Sequence, residues 1–248
     1  MKRNHLRKAE KQHPRFAAVD ALRGFAIALM VVYHFCFDLR YYGWTHANFN
    51  DDPFWLGSRT LIVSLFLCVS GVSMVLANRS VIVWRAWLQR FCILLFCATL
   101  TSVSSYVLFP KSWIFFGVLH FIAAASVLGL VFLRWHKLNL VVGIILIMAG
   151  LTVKLAFFDQ AGWQWLGMMT HKPFTEDYVP LLPWFGVVLI GMSVGRWSLE
   201  KLAPLMAWRP RGAPGRSLAY AGKHSLLIYM LHQPLLIGAL YPIKLLVH

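Results

Sequence analysis

Polar positions are sparse along most of this chain, and they gather into short clusters that leave long apolar runs between them. Six runs are near or above the ~20 residues a helix needs to cross a bilayer. They cover residues 17–37, 54–77, 86–109, 113–133, 138–158 and 179–197. A seventh, 217–243, is interrupted by Lys223, His224 and His232. The runs are too continuous for the alternation of a barrel strand, and an open sheet cannot satisfy its backbone in lipid. The pattern predicts an all-α, polytopic membrane helical bundle of about seven transmembrane helices.

Between the runs, residues 1–15 form a basic arm, and residues 16–248 read as a single transmembrane domain. Residues 198–216 hold Pro204, Pro210, Pro214, Gly212 and Gly215 among basic residues, which predicts an irregular connection. Two other long loops, 40–55 and 159–178, are rich in aromatics. Aromatics are expected at a membrane interface. Asp51, Asp52, Glu176, Asp177, His46 and His171 go beyond that expectation. No internal repeat of the kind that builds many transporters is visible.

Composition sharpens the class. The chain is 59% hydrophobic and only 13% charged, against about 25% charged in a soluble domain. A net charge of +15 would suit nucleic acid, but its distribution argues for topology instead. With the N-terminus in the cytoplasm, 18 of the 24 basic residues lie on the inner side, and Arg40, Arg59, Lys111, Lys154, Lys172 and Lys244 lie outside. The positive-inside rule then gives N-in and C-out, with basic segments against anionic lipid and no nucleic-acid partner. The first run is too long for a cleaved signal peptide, carries Asp20 and Arg23, and lacks a small-residue cleavage site. Cys36, Cys68, Cys92 and Cys97 all sit in apolar runs without metal spacing, so buried inert thiols are expected.

Ionisable groups inside spans are costly and mark bundle interiors or wet cavities. His34 and Asp38 stand one helical turn apart in the first run and share a face. His120 lies in the outer third of the fourth run, His232 near the middle of the last, and Asp177 just before the sixth. Several of these groups are placed to converge on one outward-facing pocket. Imidazole takes and gives a proton near neutral pH, as acyl transfer to a hydroxyl or amine requires, and a carboxylate one turn away can orient it. Each group also has a plainer reading. A buried His can hydrogen-bond a neighbouring helix, Asp20 and Arg23 are spaced for a structural pair, and His46 sits in an aqueous loop. No G-x-S-x-G, H-E-x-x-H or phosphate-binding loop is present.

The stretch "RFAAVDALRGFAIALMVVYHFCFDL" resembles the opening of the heparan-α-glucosaminide N-acetyltransferase catalytic-domain family in its short bacterial form. That family stands among the membrane acyltransferases with an Asp-x-x-Arg stretch and a His in the first helix. "LFLCVSGVSM", "WRAWLQRFCILL", "FGVLHFIAAASVLG", "DYVPLLPWFGVVLIGM" and "GKHSLLIYMLHQPLLIG" resemble later family segments in the same order. The resemblance covers about residues 15–243.

What it implies is transfer of an acetyl group from cytosolic acetyl-coenzyme A to a sugar amine or hydroxyl on the opposite side, within a bacterial inner (plasma) membrane. Two positions compete for the family's key His: His34 in the first helix and His46 in the first outer loop. Asp38 would hold or polarise His34, with His120, Asp177 and His232 facing the acceptor. Arg23, Arg85 and Arg90 lie on the inner side to meet the phosphates of coenzyme A, since Arg suits phosphate. The expected partners are acyl-coenzyme A, a glycan or amino-sugar acceptor and membrane lipids, with a homodimer among the allowed assemblies and no metal. The rival reading is a transporter or lipid-linked-sugar carrier that uses the histidines as proton relays.

Overall fold

A computed structural model describes residues 16–79, 81–202 and 207–247; the arm over 1–15 lies outside them. Among the described residues the regular structure is helical. The helices are α1 (Ala17–Tyr41), α2 (Pro53–Ala77), α3 (Trp84–Leu108), α4 (Val118–Phe132) and α5 (His136–Thr152). After two short 3₁₀ turns follow α6 (Leu181–Lys201), α7 (Ala213–Lys223) and α8 (Ser225–Val247).

Five of these, α1, α2, α3, α6 and α8, are long and apolar enough to cross a membrane. The fourth and fifth apolar runs give shorter helices than expected. With 15 and 17 residues, α4 and α5 measure about 22 and 26 Å at ~1.5 Å per residue, against a hydrocarbon core of ~30 Å. The fourth run loses 113–117 because α4 starts only at Val118, whose N–H is bound by Asp177. The fifth ends early because residues after Thr152 turn into a loop that folds back on itself through Leu155 N–H to Met168 O.

The seventh run differs most. It breaks at His224 into α7 and α8, and α7 reaches back into what reads as irregular connection. Gly24 of α1 faces the carbonyl of Leu218, and Gly222 of α7 faces the carbonyl of Asp20; neither site has room for a Cβ. The two pairs run in opposite order, so α7 lies antiparallel along the first turns of α1. After the break α8 runs parallel to α1: His34 meets His232, Asp38 meets Gln233, and Lys244 stacks on Tyr42.

The buried centre belongs to α6. Phe185, Val188, Leu189 and Met192 pack with Leu67 and Val75 of α2 and Phe121 and Ala125 of α4. Close approach of α2 and α6 depends on small residues, as in membrane bundles generally. Gly71 faces the Val188 carbonyl and Gly191 faces that of Cys68. Large apolar side chains cover the outside, Leu95, Phe96, Leu100, Val103 and Val107 of α3 among them. A water-soluble monomer does not expose apolar surface on this scale; the fold is that of an integral membrane protein. The cysteines are less buried than expected: Cys92 is exposed on this apolar surface and the other three are half-buried.

Candidate functional site

The extra acidic residues of the two aromatic-rich loops have structural work. Asp52 caps α2 by accepting from Phe54 N–H at 2.8 Å, ahead of Pro53 in the first turn. Asp51 accepts from Asn48 at 3.0 Å, and Glu176 accepts from the Ser112 hydroxyl at 2.5 Å. Asp159 takes both the N–H and the hydroxyl of Thr170, which, with His171 3.6 Å away, hold its carboxyl below its ordinary value.

Asp177 joins three elements. Its Oδ2 accepts the Val118 N–H at 2.9 Å, where the positive end of the α4 dipole favours it. The same oxygen accepts the Tyr229 hydroxyl of α8 at 3.1 Å. Burial pushes the Asp177 carboxyl above its ordinary value, while these two donors and Lys172 pull it back. Desolvation of its ammonium also lowers Lys172, although the residue as a whole is exposed, and the charge of Arg59 adds to that effect. Next to Asp177, burial pushes the Tyr178 phenol up to about 12; its hydroxyl donates to Gln164 O at 2.6 Å.

His120 is engaged on both ring nitrogens. Nδ1 accepts the Gly117 N–H at 3.3 Å, so the proton sits on Nε2, 3.1 Å from the Ser102 hydroxyl. That arrangement caps α4 and ties it to α3. The plainer reading of a buried His describes this residue, and the ring makes no described contact with His34.

His34 instead meets His232, with ring centroids 4.8 Å apart. Nδ1 of His232 lies 2.6 Å from the Tyr229 carbonyl. A carbonyl only accepts, so Nδ1 carries the proton and Nε2 presents a lone pair. That Nε2 is buried with no hydrogen-bond partner among the described residues. Asp38, buried on the same face of α1, accepts from Gln233 Nε2 at 2.8 Å. It therefore does not hold His34, as the four-residue spacing suggested; its described partner is on α8. Asp38 Oδ2 and Gln233 Oε1 are likewise buried without partners. Three unmatched acceptors thus cluster where α1 meets α8, and buried acceptors normally have partners. His46 is exposed in its loop, outside this cluster.

Toward the other end of α1 lies a cavity of about 620 Å³, within the ~300–1,000 Å³ typical of small-molecule sites. Arg23, Arg90, Lys223, Gln89 and Ser70 line it, and Tyr229 stands on its wall. Arg23 is a structural clamp. It bonds Asp20 at 3.0 Å, the Gly222 carbonyl at 3.3 Å and the Ser73 hydroxyl at 2.5 Å, joining α1, α2 and α7. Arg90 lines the cavity, while Arg85 is exposed and off its wall. Cations beside a cleft of this size are suited to phosphate groups.

Sequence reasoning missed Tyr229, Gln233 and Lys223. Tyr229, His232 and Gln233 stand at i, i+3 and i+4 in "IYMLHQP", the spacing of one helical face, which was the available signal.

Residues 15–234 match the family described as heparan-alpha-glucosaminide N-acetyltransferase, catalytic. No curated protein and no solved structure matches the chain. A match over most of the length, on an all-helical membrane fold, places this chain in the heparan-alpha-glucosaminide N-acetyltransferase catalytic family.

Proposed function

We propose that this membrane acetyltransferase takes acetyl from acetyl-coenzyme A at the cytoplasmic face and passes it to a sugar amine or hydroxyl on the outer face of a bacterial inner membrane. The single observation that carries this reading is the adjacency of two unlike compartments. A cavity lined by Arg23, Arg90 and Lys223 shares Tyr229 with a histidine pair whose His232 Nε2 is an unpartnered base. The basic compartment suits the polyphosphate end of the donor. The imidazole compartment suits removal of a proton from the acceptor.

In this mechanism His232 or His34 takes the proton of the acceptor N–H or O–H. The acceptor heteroatom bonds to the acyl carbon, and the carbon–sulfur bond breaks. The departing thiolate receives a proton, so coenzyme A leaves as a thiol. Asp38 and Gln233 offer acceptors to the remaining N–H and O–H groups of the sugar. Tethering both substrates removes much of the entropic barrier, and the base adds roughly 10²–10⁴ in rate. His46, exposed in the first outer loop, is the competing candidate for the base.

Release of free thiol from acetyl-coenzyme A by purified protein, with amino-sugar and neutral-sugar acceptors, tests the reading. His34→Ala and His232→Ala are each expected to lower transfer by roughly 10²–10⁴ while leaving folded protein. Near-normal turnover in both, with His46→Ala inactive, would move the base to the loop. A carrier would release no thiol above background in any variant.

A further inference from the structure

Tyr229 belongs to both compartments at once. It lines the cavity, its ring centroid lies 5.6 Å from that of His232, and its hydroxyl reaches Asp177 Oδ2 at 3.1 Å. No other residue on that wall has a described ring contact with His34 or His232. Asp177 is itself fixed. The Val118 N–H holds it at the start of α4, and a Cβ at Gly117 would collide with its carboxylate. The hydroxyl of Tyr229 is therefore bound to an anchored point of the outer loop, and the ring is pinned across the boundary between the cavity and the histidine pair.

We infer that Tyr229, latched by Asp177, is the partition that separates the donor cavity from the acceptor side and keeps outer water from the thioester. The inference rests on the acyl-transfer reading above. An acyl thioester lying in the cavity must bring its carbonyl up to Tyr229 to meet the histidines. An acceptor can approach the same carbonyl only from the other side of the ring. Without the ring, water reaches that carbon: a water oxygen bonds to it, the carbon–sulfur bond breaks, and acetic acid and the free thiol leave. The partition therefore governs the ratio of hydrolysis to transfer, as expected for a positioning residue and not for a base.

The test has two readouts in the full-length protein reconstituted in sealed vesicles. The first is thiol release from acetyl-coenzyme A with and without a sugar acceptor. Tyr229→Ala is expected to raise acceptor-independent release several-fold while transfer falls. Tyr229→Phe keeps the ring but loses the latch, so it is expected to raise release less and to retain transfer. A merely structural loss would lower both activities together. The second readout does not need activity. Ser225, one turn before Tyr229 on α8 and also on the cavity wall, is changed to Cys and probed from the acceptor side with a membrane-impermeant thiol reagent. Labelling above that of the parent chain is expected only when Tyr229→Ala is also present. If neither acceptor-independent release nor labelling changes in Tyr229→Ala and Tyr229→Phe, Tyr229 is not a partition. If the unaltered chain releases no thiol with any acceptor, the acyl-transfer reading fails instead, and the labelling still decides whether the barrier exists.

Discussion

His120 and His232 carry the same ring and face opposite prospects. Both sit in apolar helices, and both stood out in the sequence because an imidazole is costly there. His120 has a donor on one nitrogen and a hydroxyl at the other, and caps a helix. His232 has one nitrogen bound to a carbonyl and the other without a partner among the described residues. Nothing in the residue type separates the two; only the neighbours on other helices do. For the same reason the His34–Asp38 spacing put both groups on one face of α1 but did not reveal the partner of Asp38, which is Gln233, an uncharged residue that draws no attention in a hydropathy profile. The Thr170 hydroxyl, with help from its N–H and from His171, holds the carboxyl of Asp159 below its ordinary value. A lowered folded value stabilises the loop above the unfolded value, and the stabilisation is lost as pH falls through the lowered one. Amide exchange over residues 159–171, corrected for intrinsic rate, should therefore stay slow from neutral pH down to the ordinary carboxylate range and speed up only as pH falls through the lowered value. Asp159→Ala should show several-fold faster exchange already at neutral pH. Unchanged protection in that variant would mean that the loop is held elsewhere.

Helices were legible where apolar character alone sets their limits. The first, second, third and sixth runs match α1, α2, α3 and α6 to within a few residues. The last run was not legible as two helices, because Lys223 and His224 interrupt it only briefly and two polar residues do not by themselves end a helix. The cause is packing. Gly24 and Gly222 let the backbones of α1 and α7 touch, and the Arg23 guanidinium then binds the Gly222 carbonyl. Small-residue crossings of this kind stabilise membrane helices by contact and not by water exclusion. Gly222→Leu would force α7 away from Asp20 and remove that hydrogen bond. Overpacking costs about 1–3 kcal/mol in a close-packed site, so the variant's detergent Tm should fall measurably. Gly238→Leu, where a Cβ meets nothing within 4 Å, should leave Tm unchanged. Equal behaviour of the two variants would mean that the α1–α7 crossing is not a tight one.

At the scale of the whole molecule, the two ends of the described chain lie at opposite ends of α1. Gly222 packs at its start, and Lys244 stacks on Tyr42 just past its end. This separation holds whether the bundle has five spans or seven, because α4 and α5 enter or leave the count as a pair. The turn between them, around Arg134, distinguishes the two cases. Three observations favour crossing. The α5 helix lies antiparallel along α6, with Gly143 facing Gly186 and Gly150 facing Pro183. Its first residue, His136, accepts from the Ser193 hydroxyl near the basic end of α6. Arg134 and Lys137 flank the turn, as the positive-inside rule asks of a cytoplasmic one. Helices of about 22 and 26 Å can still cross if the bilayer thins locally or their flanking residues snorkel, at a modest cost per ångström. A seven-span bundle with a cytoplasmic N-terminus predicts that a cysteine replacing Arg134 is labelled by an impermeant reagent only from the cytoplasmic side, while a reporter fused after Val247 is active only outside. If Arg134→Cys is labelled from the outer side while the fused reporter stays outside, α4 and α5 form a short hairpin on the outer face, and the bundle crosses five times.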